Sequence, residues 1–310
     1  MRSFLLAVLV AVLAVGCGPI PESTLTDLSA KDEIRVVTTV GMIADAVENV
    51  GGPRVAVEGL MGPGIDPHLY KASEGDVRRL ERADVIFYGG LHLEAKMADV
   101  LERIGERRLT RAVTDGIDRS RLIAAGGGQY DPHVWFDAEL WQGAVREVRD
   151  TLVAADPTHA EGYRMRAAAY IGQLDVLDDE ARTKSARVPA AARVIVTAHD
   201  AFGYFGRAYG YEVIGLQGIS TASEAGAKDV QRLADLIATR RIPAIFVESS
   251  VSPRTIEAVQ EAVRSRGFEV AIGGSLFADA MGSAGTREGT YVGMVRANVD
   301  TITSALGGGS

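Results

Sequence analysis

The sequence predicts an α/β protein of two lobes, each a mostly parallel sheet flanked by helices, joined by one long rigid linking helix. Three observations carry that prediction. Strand-like and helix-like segments alternate along most of the 310 residues. A charged, Ala-rich helical pattern without internal proline runs from Pro157 to about Ser185 and separates two such sets. The span between them and around them, 34–306, is longer than one hydrophobic core usually serves.

The elements follow in order. Ile34-Arg35-Val36-Val37-Thr38-Thr39 is rich in β-branched residues and reads as a strand. Residues 42–50 read as a helix closed by Gly51-Gly52. Residues 54–60 are the next strand, which leads into a loop holding His68. Residues 73–82 read as a helix begun by Ser73, with Asp76 three residues on, close to a capping box. Val85-Ile86-Phe87-Tyr88 is a buried strand that ends at Gly89-Gly90. Helices follow from about 94 to 104 and from about 138 to 154. Pro189 closes the long helical pattern, and the alternation restarts. Strands are expected at 194–197, 211–216, 244–248 and 268–272, and helices at 227–240, 253–265 and from about 290. The organisation is therefore a lobe over 34–155, a linking helix over 156–188, a lobe over 189–306 and a Gly-rich tail, 307–310.

The N-terminus reads as a targeting segment. Arg2 is followed by an apolar stretch over 4–15, of signal-peptide length and short for a membrane span. Ala14-Val15-Gly16-Cys17 then resembles a bacterial lipobox, which makes 1–17 a signal peptide and Cys17 the lipidated residue. Cys17 is the chain's one cysteine, so no internal disulfide is available to it. The alternative is an ordinary cleaved signal with an incidental cysteine. Residues 18–33 are polar and proline-containing and read as a tether. The net charge of −8, without basic clusters, argues against nucleic acid as partner. Aromatic residues make up 6% of the chain, too few to favour an aromatic-lined sugar or peptide cleft.

The chemistry lies in the histidines. Three of five sit in loops after apolar runs, each beside an Asp: His68 in Asp-Pro-His-Leu-Tyr, His133 in Asp-Pro-His-Val-Trp-Phe-Asp and His199 in Thr-Ala-His-Asp-Ala-Phe-Gly. Imidazole is the commonest protein ligand for transition metals. Singly, each reads as a hydrogen-bonded loop histidine; together they point to one assembled metal site. Ligands of such sheets bind beyond the carboxyl ends of strands, where His68 and His199 fall, one in each lobe. A fourth candidate, Asp279, lies in an apolar, Gly-flanked loop after the last strand. Burial of its carboxylate requires a partner; the alternative is a helix N-cap.

These motifs, with Ile-Phe-Val-Glu-Ser-Ser and Leu-Phe-Ala-Asp-Ala-Met-Gly in the same order, resemble those of the metal-binding solute-binding lipoproteins of zinc and manganese ABC transporters, most closely the TroA-like members. The resemblance spans roughly 33–306. It implies first ligands at His68, His133, His199 and Asp279, and two α/β lobes on one long helix with the metal between them. It further implies Zn²⁺ or Mn²⁺ as transported ligand, an ABC permease and its ATPase subunit as partners, and a monomer anchored through Cys17 on the extracytoplasmic or periplasmic face of the membrane. An adhesin role is compatible with that placement.

Three imidazoles and a carboxylate form a closed set suited to tetrahedral Zn²⁺, with Zn–N of about 2.0–2.1 Å. A bidentate Asp279 raises the coordination number and admits Mn²⁺, although zinc binds such a set more tightly. The region 116–130 holds no histidine, unlike the His-rich loop of relatives dedicated to zinc. Glu248, Asp66, Asp131 and Asp200 are candidates to orient a ligand histidine through its second ring nitrogen, or to cap neighbouring turns. His92, His159 and Trp135 read as structural or surface residues. The competing function is a zinc hydrolase with three His ligands, a water and Glu248 as base, which requires that Asp279 not be a ligand. Because imidazole binds metal only when unprotonated, affinity is expected to fall as pH drops through about 6.5.

Overall fold

A computed structural model describes residues 27–307. The expected signal peptide with Cys17, residues 18–26 of the expected tether and residues 308–310 lie outside the described residues. In the first lobe, β1 (Ile34–Thr38), β2 (Val55–Gly59), β3 (Val85–Tyr88) and β4 (Leu109–Ala112) form one parallel sheet in the order β2-β1-β3-β4. Register pairs Ile34 with Val55 and Val36 with Val85. β1 is internal and buries every residue but Arg35, as a parallel strand covered on both faces requires. Helices α1 (Gly41–Gly51), α2 (Glu74–Arg82) and α3 (Ala98–Gly105) connect these strands. Ser73 and Asp76 form the reciprocal capping box that starts α2.

A short hairpin of β5 (Ala124–Gly126) and β6 (Gln129–Tyr130) follows. Its turn uses Gly126, Gly127 and Gly128 at φ of 85°, 58° and 78°, a left-handed path open to glycine at little cost. Helix α4 (Ala138–Ala155) then leads to α5 (Ala160–Ser185), which is preceded by a 3₁₀ turn at Pro157–His159. At about 1.5 Å per residue, α5 is about 39 Å long. Its buried residues Tyr163, Ala167, Tyr170, Leu174, Leu177, Ala181 and Ser185 recur every three or four positions and form one stripe. That stripe packs against α1 and α4 of the first lobe and, in the second, against α6 (Gly203–Tyr209) and α9 (Tyr291–Leu306).

The second lobe contains β7 (Val194–His199), β8 (Glu212–Gln217), α7 (Ala227–Arg240), β9 (Ala244–Glu248), α8 (Arg254–Arg264) and β10 (Ala271–Leu276). β7 pairs with β8 and β9 with β10, all parallel, and β7 lies beside β9. No helix among the described residues is long and apolar enough to cross a membrane.

Differences from the sequence reading have physical causes. The edge strand β4, the hairpin and the seven-residue α6 are too short or too weakly patterned to stand out. The last strand runs through Gly273-Gly274 instead of ending before them. A Cβ at Gly273 would lie 2.7 Å from Phe246 and 2.8 Å from Ala305, so glycine there permits close packing of α9 on the sheet. Gly274 has φ 137°, within a register shift between Ile272 and Ser275.

Asp156 ties the start of the linking segment to the first lobe. It is fully buried and accepts hydrogen bonds from Arg54 Nε (2.9 Å), the Tyr163 hydroxyl (2.6 Å) and His159 Nδ1 (2.8 Å). Burial opposes its ionisation, but Tyr163, His159 and Arg54 outweigh it and hold the carboxyl down at about 2. A depressed pKa stabilises the fold above the ordinary carboxylate value of about 3.9, and that contribution is lost as pH falls through about 2. Asp156→Ala therefore lowers stability at pH 7 by about 3–5 kcal/mol, with a smaller deficit near pH 2, as read by urea unfolding at both pH values.

Candidate metal centre

The two Asp-Pro-His segments fold alike. Asp66 Oδ1 accepts the backbone N–H of His68 at 2.8 Å, and Asp131 Oδ1 accepts that of His133 at 2.9 Å. The intervening prolines fix φ and leave the carboxylate free to close the turn. After His133 a 3₁₀ turn at Val134–Phe136 leads to Asp137, whose side chain caps α4 through the Leu140 N–H at 2.9 Å. His199 is the last residue of β7, and Glu248 is the last of β9 beside it. Asp279 follows β10. Its loop is held by Asn298 of α9, which accepts the Phe277 N–H at 2.9 Å and donates to the Phe277 carbonyl at 2.8 Å. Asp279 is not a helix cap; the next α-helix is capped by Thr290.

His68, His133, His199 and Asp279 converge. One potential ligand atom from each lies within 4.8 Å of all the others, and all four side chains are buried. His68 Nε2 is 3.2 Å from His133 Nε2. Asp279 Oδ1 is 3.3 Å from His133 Nε2, and Oδ2 is 3.3 Å from His199 Nε2. Atoms bound tetrahedrally at about 2.0–2.1 Å stand about 3.3–3.4 Å apart, so these three separations match edges of such a polyhedron. Neither Asp279 oxygen has a hydrogen-bond partner among the described residues, and His199 Nε2 has none. Leaving buried polar atoms of this kind unpaired costs several kcal/mol. Electropositive charge between them removes the cost.

The outer nitrogens are held too. Asp131 Oδ1 accepts from His133 Nδ1 at 2.7 Å, and Glu248 Oε2 from His199 Nδ1 at 2.5 Å, while Glu248 Oε1 takes the His199 backbone N–H at 2.9 Å. This orientation turns each Nε2 lone pair inward. Asp66 does not touch its histidine's ring in this way. Besides closing the turn, it accepts the hydroxyl of Thr221 at 2.6 Å, a hydrogen bond from the second lobe to the first. Trp135 was read as structural, and it joins the lobes: Nε1 donates to the Ala278 carbonyl at 3.1 Å, and the Tyr291 hydroxyl donates to the Trp135 carbonyl at 2.7 Å. Asn298, Thr221 and Tyr291 carry no sequence signal that would have singled them out. His92 and His159 stand outside the cluster.

Electrostatics divide the histidines. Burial pushes His68 down to about 4, reinforced by the other two imidazoles and opposed by Asp279. Burial also disfavours charge on His133 and His199. For His133 the carboxylates of Asp131 and Asp279 outweigh it and raise the pKa to about 9. Asp279 and Glu248 hold His199 well above the ordinary range. Asp279 is buried, yet His199 and His133 keep it well below the usual carboxylate range. Burial raises Asp200, helped by Asp131 and countered by His133 and His199.

Comparison with known proteins agrees with this architecture. The family model for "Zinc-uptake complex component A periplasmic" matches residues 36–305. The chain is 50% identical over 307 residues to the manganese-binding lipoprotein MntA of Bacillus subtilis, covering 98% of this chain and 99% of that protein. It is 54% identical over 280 residues to the zinc-binding protein TroA of Treponema pallidum, covering 90% and 91%. The solved structure of that periplasmic zinc-binding protein superposes with a TM-score of 0.87 over 88% of this chain and 99% of that one. Proteins of this family are transport receptors and not enzymes. The chain belongs to the TroA-like family of metal-binding solute receptors of zinc and manganese ABC transporters.

Proposed function

We propose that this receptor captures one divalent transition metal ion, Zn²⁺ or Mn²⁺, outside the cytoplasmic membrane and delivers it to an ABC permease and its ATPase. The ligands are Nε2 of His68, His133 and His199 and the carboxylate of Asp279. The observation that carries the reading is Asp279: fully buried, without a hydrogen-bond donor, each oxygen 3.3 Å from an imidazole Nε2. A metal between these atoms satisfies all of them. Both oxygens face the centre, which suits bidentate ligation and a fifth bond, so manganese fits as well as zinc. Zinc binds more tightly by the general affinity order, and metal supply then decides the cargo. A hydrolase needs an open position for water, and Asp279 occupies the space that water would take.

The receptor unit runs from 34 to 306, with lobes over 34–155 and 189–306 on the linking segment 156–188. It works as a monomer, tethered to a lipid on Cys17 by the segment before Leu28; the expected tether 18–33 is shortened because Leu28 is buried in the core and its N–H donates to the Ala155 carbonyl at 2.7 Å. Cys17→Ser is expected to move the protein from the membrane fraction to the soluble fraction on phase separation in detergent.

His68→Ala and Asp279→Ala each weaken Zn²⁺ binding by more than the roughly 10–100-fold typical of losing an outer partner, while Glu248→Gln falls within that range. Titration calorimetry measures all three, and unchanged affinity in both ligand variants overturns the site.

The pH dependence has a definite sign. His133, at about 9, carries a proton at pH 7 in the metal-free site, and Asp279 and Glu248 favour one on His199 as well. Binding must displace such protons, whereas His68 is already neutral. Affinity therefore climbs steeply between pH 6 and 9, above the window near 6.5 expected from ordinary imidazoles. Calorimetry in buffers of different ionisation enthalpy reads at least about one proton released per metal at pH 7; a flat affinity from pH 7 to 9 contradicts this.

A further inference from the structure

Among the described residues, two cavities carry a residue of the cluster in their walls, and they differ in size and chemistry. One is a cavity of about 370 Å³ lined by His68, His92, Ala125, Gln129, Asp200 and Ser220 among others, contributed by both lobes. His68 is the only one of the four clustered residues in its wall. The other is a crevice of about 50 Å³ lined by Asp279 and by Gly62, Pro63, Ile65 and Met281. A divalent ion with six waters, at about 30 Å³ per water, needs on the order of 180 Å³. The first cavity accommodates that volume; the second does not, and its wall offers mostly apolar atoms.

The wall of the larger cavity carries a further oddity. Gly90, Leu91 and His92 are consecutive residues with positive φ, at 80°, 51° and 66°. For Leu and His this conformation costs about 1–2 kcal/mol each. The strained turn brings an exposed imidazole, His92, to the same cavity as the half-buried carboxylate of Asp200. Imidazole and carboxylate are both donors for a borderline transition metal ion.

We propose that this cavity is the path by which a hydrated divalent metal ion reaches and leaves the cluster, with His92 and Asp200 exchanging its water before His68 takes it up. The path rests on the reading of the cluster as a metal site. The partly buried carboxylate of Asp200 in the cavity wall also favours cations over anions.

Stopped-flow mixing with Zn²⁺ tests the path, followed by release into excess chelator. The readout is tryptophan fluorescence, since the Trp135 ring lies 5.3 Å from that of His133. Ala125→Trp narrows the large cavity and slows association and release by the same factor, on the order of tenfold, leaving the equilibrium affinity unchanged, because both directions share one barrier. His92→Asn, which tolerates positive φ, slows both in the same way. Gly62→Trp obstructs the small crevice, where a Cβ meets nothing within 4 Å, and leaves both rates as in the parent chain. Unchanged rates in Ala125→Trp, or slowing by Gly62→Trp, overturn the path. Unchanged rates in His92→Asn overturn the role of that imidazole. Absence of Zn²⁺ binding by the parent chain, in contrast, removes the metal site itself, so the two failures are distinguishable.

Discussion

Three carboxyl groups buried around three imidazoles set the terms for the rest of the molecule. Asp131, Glu248 and Asp279 are 2%, 4% and 1% exposed. Negative charge that far from water must be compensated. The same carboxylates raise His133 to about 9 and hold His199 well above the ordinary range, so positive charge on these imidazoles is favoured in compensation. Under the proposed function a divalent ion takes over that compensation.

The scaffold that holds this cluster is stiff on one side and lightly joined on the other. Behind the site, Trp135 bonds to Ala278 and Tyr291 to Trp135, and the Tyr204 hydroxyl donates to the Asp131 carbonyl at 2.8 Å. Phe136 stacks on Phe202 with ring centroids 4.3 Å apart. These contacts join the lobes next to α5, whose buried stripe already serves both. Elsewhere between the lobes, the hydroxyl of the buried Thr221 donates to the half-buried Asp66 at 2.6 Å. Packed aromatic contacts resist displacement more than one hydrogen bond does, so the lobes are held more firmly behind the site than at the Thr221–Asp66 contact.

Much of this was legible in the sequence because it depends on local pattern. Alternating apolar runs and helical periodicity marked the two lobes, the proline-free stretch marked α5, and repeated Asp-Pro-His marked two turns that fold the same way. Asp279 stood out because a carboxylate among apolar residues needs a reason. What was not legible depends on contacts between distant elements. Asn298 looks like any polar residue of a helix until α9 is laid against the loop before Asp279. Thr221 sits in a stretch of small polar residues with nothing to set it apart. The shift of His133 to about 9 and of His68 to about 4 arises from which carboxylates lie behind each ring, and a ring's neighbours in space are not its neighbours in the chain.

The division of the cluster between lobes bears on the proposed carrier role. His68 and His133 come from the first lobe, and His199 and Asp279 from the second. If the four residues hold one metal ion as proposed, any separation of the lobes would take two ligands from it together and would give Asp279 the water contacts it lacks when buried. Ligation shared between lobes ties the binding of the ion to how the lobes are held together, which suits a carrier better than a hydrolytic centre.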